Sequence, residues 1–229
     1  TSWRFRQPKL AESYEANVLA FVDVPTKYSS RGLKADRSNP FLIRATGYVS
    51  LPLGPHRILV RCRNASRLTM DDRLIAETQF HNIPASGHGT VYDLDASLAP
   101  NIRPLQRGDT QAVVVVEGDG QKHLFCFEMI VGGRQHRPEF GETCVSIGPP
   151  DGDFRLLSLT LNVPLTDDGW RRFAENQHAW LRQVNAVARR EAAVEEERYW
   201  DWRHKLARQL VADLPASDVP QNSGELPAN

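Results

Sequence analysis

Cysteine is scarce: three residues, Cys62, Cys126 and Cys144, in a chain of 229, with no Cys-x-x-Cys pair. A structural zinc site, which needs closely spaced thiolate or imidazole ligands, is therefore not expected. Cys62 and Cys126 lie inside apolar runs, where a thiol acts as a small buried hydrophobe, though one disulfide with one free thiol stays open. Long apolar runs are missing too. The greasiest stretch, Ala112 to Val116, has strand length against the ~20 residues of a membrane span. Neither sign of charge prevails, with 28 basic and 28 acidic side chains. A broad positive field of the kind that draws nucleic acid or an anionic membrane is thus excluded, and no nucleic-acid partner is expected. Also missing are the Gly-x-Ser-x-Gly elbow, a phosphate-cradling glycine loop, His-Glu-x-x-His and Cys-x-x-Cys-His. Nothing nominates a pair of carboxylates for sugar hydrolysis. The expectation is a protein that is not an enzyme and holds no metal and no cofactor. Residues 1–8 lack the apolar middle of a signal peptide, so the chain is cytosolic or its export signal lies outside this segment.

What is present, from Phe41 to Val163, is a series of short apolar segments divided by turn residues, the rhythm of an antiparallel sandwich. Strands are predicted at Phe41 to Val49, Arg57 to Arg63, Arg67 to Met70, Arg73 to Ala76, Thr90 to Leu94, Gln111 to Glu117, His123 to Val131, Thr143 to Ile147 and Phe154 to Val163. In the second, Ile58, Val60 and Cys62 alternate with Arg57, Leu59, Arg61 and Arg63, which predicts one packed face and one mostly wet face. Asp71-Asp72 falls where a tight hairpin turns, since aspartate tolerates left-handed geometry.

Beyond Pro164 the composition turns to Ala, Glu, Arg, Leu and Gln, with Gly169 the one glycine and no proline up to Leu214. That is helix, capped by Thr166 or Asp167, with Asp168 well placed against the helix dipole. Trp170, Phe173, Leu181, Val184, Val187 or Ala188, and Val194 form an apolar stripe interrupted by Gln177 and Glu191. Unbroken, such a helix would run roughly 60–70 Å, so it either folds back as a hairpin or finds a partner. Tyr199, Trp200 and Trp202 are read first as a packing anchor and second as a partner surface. The fold class is mainly β with an α appendage: an antiparallel β-sandwich followed by a long C-terminal helix or helical hairpin. Residues 1–34 are an N-terminal extension, 35–163 the sandwich, 164–214 the helix or hairpin and 215–229 a flexible tail.

The stretch from Gly47 to Val60, with Pro52, Gly54 and Pro55 at its turn, is followed by Asn64-Ala65-Ser66 and the hairpin Arg67 to Ile75. Together they resemble the lectin-type domain named after anthrax protective antigen, over roughly residues 35 to 135. In that family, sugar binding runs through calcium held by two adjacent aspartates before the hairpin. Here that position reads Asn64-Ala65, so the hard oxygen cage that calcium prefers is missing there. The phrases Arg137 to Val145, Val163 to Trp170 and Tyr199 to His204 are similar to segments of large secreted planctomycete multidomain proteins. That similarity implies an extracytoplasmic location, periplasmic or secreted, beside neighbouring domains of a parent protein.

Two functions follow as expectations. One is a non-catalytic carbohydrate-binding module taking a polysaccharide or glycan between two loops, with Asn64, Ser66, Arg67, His81, His88 and Tyr92 as ligand-binding residues. His81 and His88 with Asp93 and Asp95 are read as loop chemistry and not as a metal cluster. The other is a structural or protein-interaction module whose helix positions neighbouring domains or mediates oligomerisation as a coiled coil.

Overall fold

The computed structural model describes residues 13–24, 40–80, 99–106, 108–133 and 142–212. The chain divides into two compact units, one of residues 1–24 with 37–182 and one of residues 25–36 with 183–229. The first unit holds the strands. β1 (Ala20–Phe21), β2 (Phe41–Ser50), β3 (Gly54–Cys62), β4 (Ala65–Met70) and β5 (Arg73–Thr78) precede β6 (Thr110–Gly118), β7 (Lys122–Val131), β8 (Thr143–Gly148) and β9 (Arg155–Leu156). One sheet runs β1-β8-β3-β6, with β9 also on β8; the other runs β2-β7-β4-β5. All described pairings are antiparallel. The structure is thus the expected antiparallel β-sandwich followed by one long helix, α1 (Asp167–Ala212), and α1 is continuous over its 46 residues. No helix among the described residues is long and apolar enough to cross a membrane.

The β4–β5 hairpin turns where aspartate was expected to turn it. Asp71 and Asp72 both have positive φ, 49° and 62°, the two left-handed residues of a type I′ turn whose twist matches the strands it joins. Gly118 ends β6 for a different reason: a Cβ there would lie 1.9 Å from the Pro52 carbonyl oxygen.

Two apolar layers result. Between the sheets lie Ile58, Val60 and Cys62 of β3 with Leu68, Phe125, Phe127, Met129 and Val145. The opposite face of β3, predicted to be mostly wet, is buried at Leu59 and Arg61, both 0% exposed, while Val113 and Val115 of β6 on the same side stay exposed. Leu59 packs with Phe154, Leu156, Leu165, Trp170 and Phe173, so the start of α1 and the chain leading into it cover that face. Alternation told which residues share a face but not what lies over it.

Arg61 is admitted to this layer by charge. Its guanidinium donates to Glu142 (3.3 Å) and to Gln111 Oε1 (3.2 Å), Arg103 donates to the other Glu142 oxygen (2.6 Å), and Arg103 also reaches Asp167 (2.5 Å). A buried cation stripped of these partners would cost several kcal/mol, on the order of 3–5. The three cysteines are free thiols. Cys62 lies 3.0 Å from Met129 Sδ in the inter-sheet core, Cys144 belongs to the other layer, and burial pushes both thiols up to about 12.

The segment Phe154 to Val163, predicted as one strand, is instead a short turn-back. The Ser158 hydroxyl accepts the amides of Thr160 (3.2 Å) and Leu161 (2.8 Å), a local bond that competes with strand pairing. The chain reverses, so that Leu156 N donates to Val163 O and Leu165 N to Phe154 O, each at 2.8 Å. The N-terminal segment lies alongside: Leu159 N and the Ser158 hydroxyl both donate to Asn17 O, at 2.9 and 2.6 Å.

Candidate functional site

α1 begins as the sequence predicts. Thr166 Oγ1 accepts Gly169 N (3.2 Å), Thr166 O accepts Trp170 N (2.9 Å), and Asp167 and Asp168 occupy the first turn. Glycine is required at 169 because a Cβ would sit 2.1 Å from the Pro164 carbonyl oxygen. Trp170, Phe173 and Leu181 of the predicted stripe are buried. Gln177, which interrupts it, has a structural purpose. Its Oε1 accepts Val22 N (2.6 Å) and its Nε2 donates to Ala20 O (3.3 Å), so one amide side chain satisfies the edge of β1.

Beside this buried stripe runs a second line of α1, Asp168, Arg172, Asn176 and Trp180, spaced four residues apart on one helix face. It forms a wall of a groove of about 780 Å³ whose other walls are the N-terminal segment and the turn-back loop. That is within the size range of small-ligand sites. Tyr14 and Trp180 meet with ring centroids 5.7 Å apart and planes tilted by 48°, and each is 37% exposed. Leu159 and Leu161 supply exposed apolar surface from the loop.

The polar groups divide into those used by the fold and those left open. Asn162 Oδ1 accepts from Arg155 (2.6 Å), Asn17 donates to Thr160 (2.9 Å), Asp23 accepts Val24 N (2.8 Å), and Asp168 is paired with Arg171 (2.5 Å) and Arg172 (2.9 Å). Asn176 is exposed and its side chain makes no hydrogen bond to the described residues. Its amide offers both donors and an acceptor from a rigid helix. Aromatic faces beside an open amide and an arginine suit a ligand with one apolar face and a rim of hydroxyls.

Of the residues predicted from sequence, Asn64, Ser66 and Arg67 lie outside this groove. Asn64 and Ser66 are buried. Ser66 Oγ and Thr78 Oγ1 are 2.6 Å apart, and Thr78 Oγ1 donates to Asn64 O (3.2 Å), so this loop is tied into the β4–β5 edge. Arg67 lies on the outer face of the second sheet, where it and Arg44 grip Glu128 from the strands on either side of β7. Burial pushes the Glu128 carboxyl up, but hydrogen bonds from Arg44 and Arg67 outweigh it and hold the group below the usual range. His81, His88 and Tyr92, with Asp93, Asp95 and the predicted strand Thr90 to Leu94, lie outside the described residues.

Asp71 of the hairpin turn is engaged. His123 donates from Nδ1 to Asp71 (2.7 Å) and from Nε2 to Asp119 (2.9 Å), while Asp71 Oδ1 accepts Leu124 N (2.9 Å). With both ring nitrogens donating, the imidazolium is the favoured form, and the Asp71 bond above all holds the His123 pKa above its ordinary value. Among the described residues no three His, Cys, Asp or Glu side chains converge as a metal set. No family model matches this chain, and no curated protein or solved structure does either.

Proposed function

We propose that this chain is a non-catalytic carbohydrate-binding module of a larger extracytoplasmic protein, and that the sugar lies in the groove between α1, the N-terminal segment and the turn-back loop. The observation that carries the reading is the half-exposed Trp180 ring in the groove, four residues along the helix from the Asn176 amide. A pyranose presents C–H groups on its face and hydroxyls at its edge, so an aromatic ring stacks on the first while planar amides and guanidinium groups take the second. Arg172 and Asn176, four residues apart on one helix, give that rim a fixed spacing. The buried Asn64 and Ser66 serve the sheet and not the ligand.

Calorimetric titration and affinity electrophoresis against a panel of algal and bacterial polysaccharides, with calcium and with chelator, test this. Saturable binding is expected for at least one glycan and is unchanged by chelation, because the groove's own side chains make the contacts. Trp180→Ala is expected to weaken it by about tenfold or more, the loss of ~1–2 kcal/mol of stacking, and Asn176→Ala by a few-fold. Retention of no glycan, or full binding by the Trp180→Ala chain, rejects the reading.

A further inference from the structure

The second unit carries a surface that the groove does not use. Over residues 183–212, Val187, Val194, Tyr199, Trp202, Leu206 and Leu210 are 39–60% exposed. The aromatic cluster, read from sequence first as a packing anchor and second as a partner surface, is 43–58% exposed. Its rings touch one another, Tyr199 edge-on to Trp200 at 5.6 Å and tilted against Trp202 at 6.1 Å, and the Arg203 guanidinium lies over Trp200 and Tyr199 at 5.3 and 5.8 Å.

These residues are not scattered around the helix. Val184, Ala188, Glu191, Glu195, Tyr199, Trp202, Leu206 and Leu210 follow one another at intervals of three and four. The pattern recurs after eleven residues, about 3.67 per turn, close enough to a straight helix to keep one face aligned over this whole length. Val187 and Val194 border the same face. An apolar arc of this extent is an association surface. The charges in its middle decide how it is filled.

We propose that the face is covered by the same face of a second copy of this chain, with the two α1 segments antiparallel and crossing between residues 196 and 197. In that register Glu195 of each copy lies against Arg198 of the other, and Glu191 against the Trp202–Arg203 step. Val187 and Ala188 then meet Leu206, and Val184 meets Leu210. Val194 likewise meets Tyr199, and the Glu195 carboxylate at the centre of the seam meets a cation. A parallel pair sets Glu191 on Glu191 and Glu195 on Glu195 in the centre of the seam, where like charges facing each other are destabilising. The arrangement is isologous, so one patch completes itself and assembly stops at two.

Sedimentation velocity of the full chain, from about 1 to about 100 µM, tests the pairing, with micromolar dimerisation expected. Glu195→Arg and Arg198→Glu, made singly, each put like charges across the seam twice and are expected to weaken association by about tenfold or more. An equimolar mixture of the two variants has opposite charges at both contacts and is expected to regain the dimer. The rescue also establishes that each variant still folds. A wild-type chain that stays monomeric throughout the range gives the face to another protein and overturns the proposal. Dimers indifferent to the single reversals, or a mixture that does not recover, overturn it too. A parallel pair would show that indifference, because each reversal there only exchanges one like-charge contact for another.

Discussion

Asp109 is held in the interior by Arg63, whose Nε donates to Oδ1 at 2.9 Å, while Oδ2 has no hydrogen-bond partner among the described residues. Burial dominates the outcome and pushes the Asp109 carboxyl up to about 6, against the counter-pull of Arg63. A carboxyl whose proton affinity rises on folding makes the folded state bind more protons than the unfolded chain between its two pKa values. Its contribution to stability is therefore greatest below the unfolded value near 4 and declines as pH rises through about 6. At ~1.4 kcal/mol per tenfold change in proton affinity, the decline is at most about 3 kcal/mol. Asp109→Asn removes the titration. Urea unfolding at pH 4, 5.5 and 7.5 is expected to show the wild-type chain losing about 2–3 kcal/mol relative to Asp109→Asn across that range. A constant difference would mean that Asp109 is ionised throughout. None of this was legible in the sequence, because the burial of Asp109 comes from elements remote from it in the chain. Arg61 makes the same point: alternation placed it on a face predicted to be mostly wet, and Glu142 and the start of α1 turned that face into an interior.

At the scale of elements, local chemistry was legible and distant covering was not. Strands from Phe41, Gln111, His123 and Thr143 stand where β-branched and aromatic runs bounded by turn residues put them. The Asp71-Asp72 turn was readable because few residues accept positive φ. That turn also makes a discriminating prediction. The Asp72 side chain, at φ 62°, makes no hydrogen bond among the described residues, so Asp72→Gly relieves left-handed strain and is expected to stabilise by about 0.5–1 kcal/mol. Asp71 has the same backbone need, but its carboxylate accepts from His123 and Leu124 N. Asp71→Gly is expected to be neutral or destabilising by about 1 kcal/mol, since those bonds go with the side chain. Thermal melts of the two variants with opposite shifts bear this out; equal shifts would mean the carboxylate contributes nothing. The misread strand at Phe154 to Val163 shows the limit of apolar runs as signals. Ser158 captures two amides in a local turn, and the leucines that looked like strand residues line a groove.

Across the whole molecule, the groove brings together residues 14–23 and 159–180, which no short motif joins. The line Asp168, Arg172, Asn176, Trp180 was visible in the sequence as a four-residue spacing. Its meaning depended on Tyr14 arriving from the other end of the chain. The sandwich and long helix were legible from composition and period, whereas the proposed ligand groove needed the three-dimensional closure. Groove and helical seam lie in different units, so the two proposals make one joint prediction about avidity. A dimer carries two grooves. On a surface dense with glycan the second engagement is intramolecular, and it multiplies retention well beyond the affinity of a single site for a free oligosaccharide. Glu195→Arg, at a position that does not line the groove, is then expected to leave the calorimetric affinity for a short oligosaccharide unchanged. Its retention on an immobilised polysaccharide gel should fall by about tenfold or more. The equimolar mixture with Arg198→Glu should recover retention together with the dimer. Loss of oligosaccharide affinity in the Glu195→Arg chain would show that the second unit supports the groove directly. Unchanged gel retention would show that each groove acts alone, whatever the state of the helices.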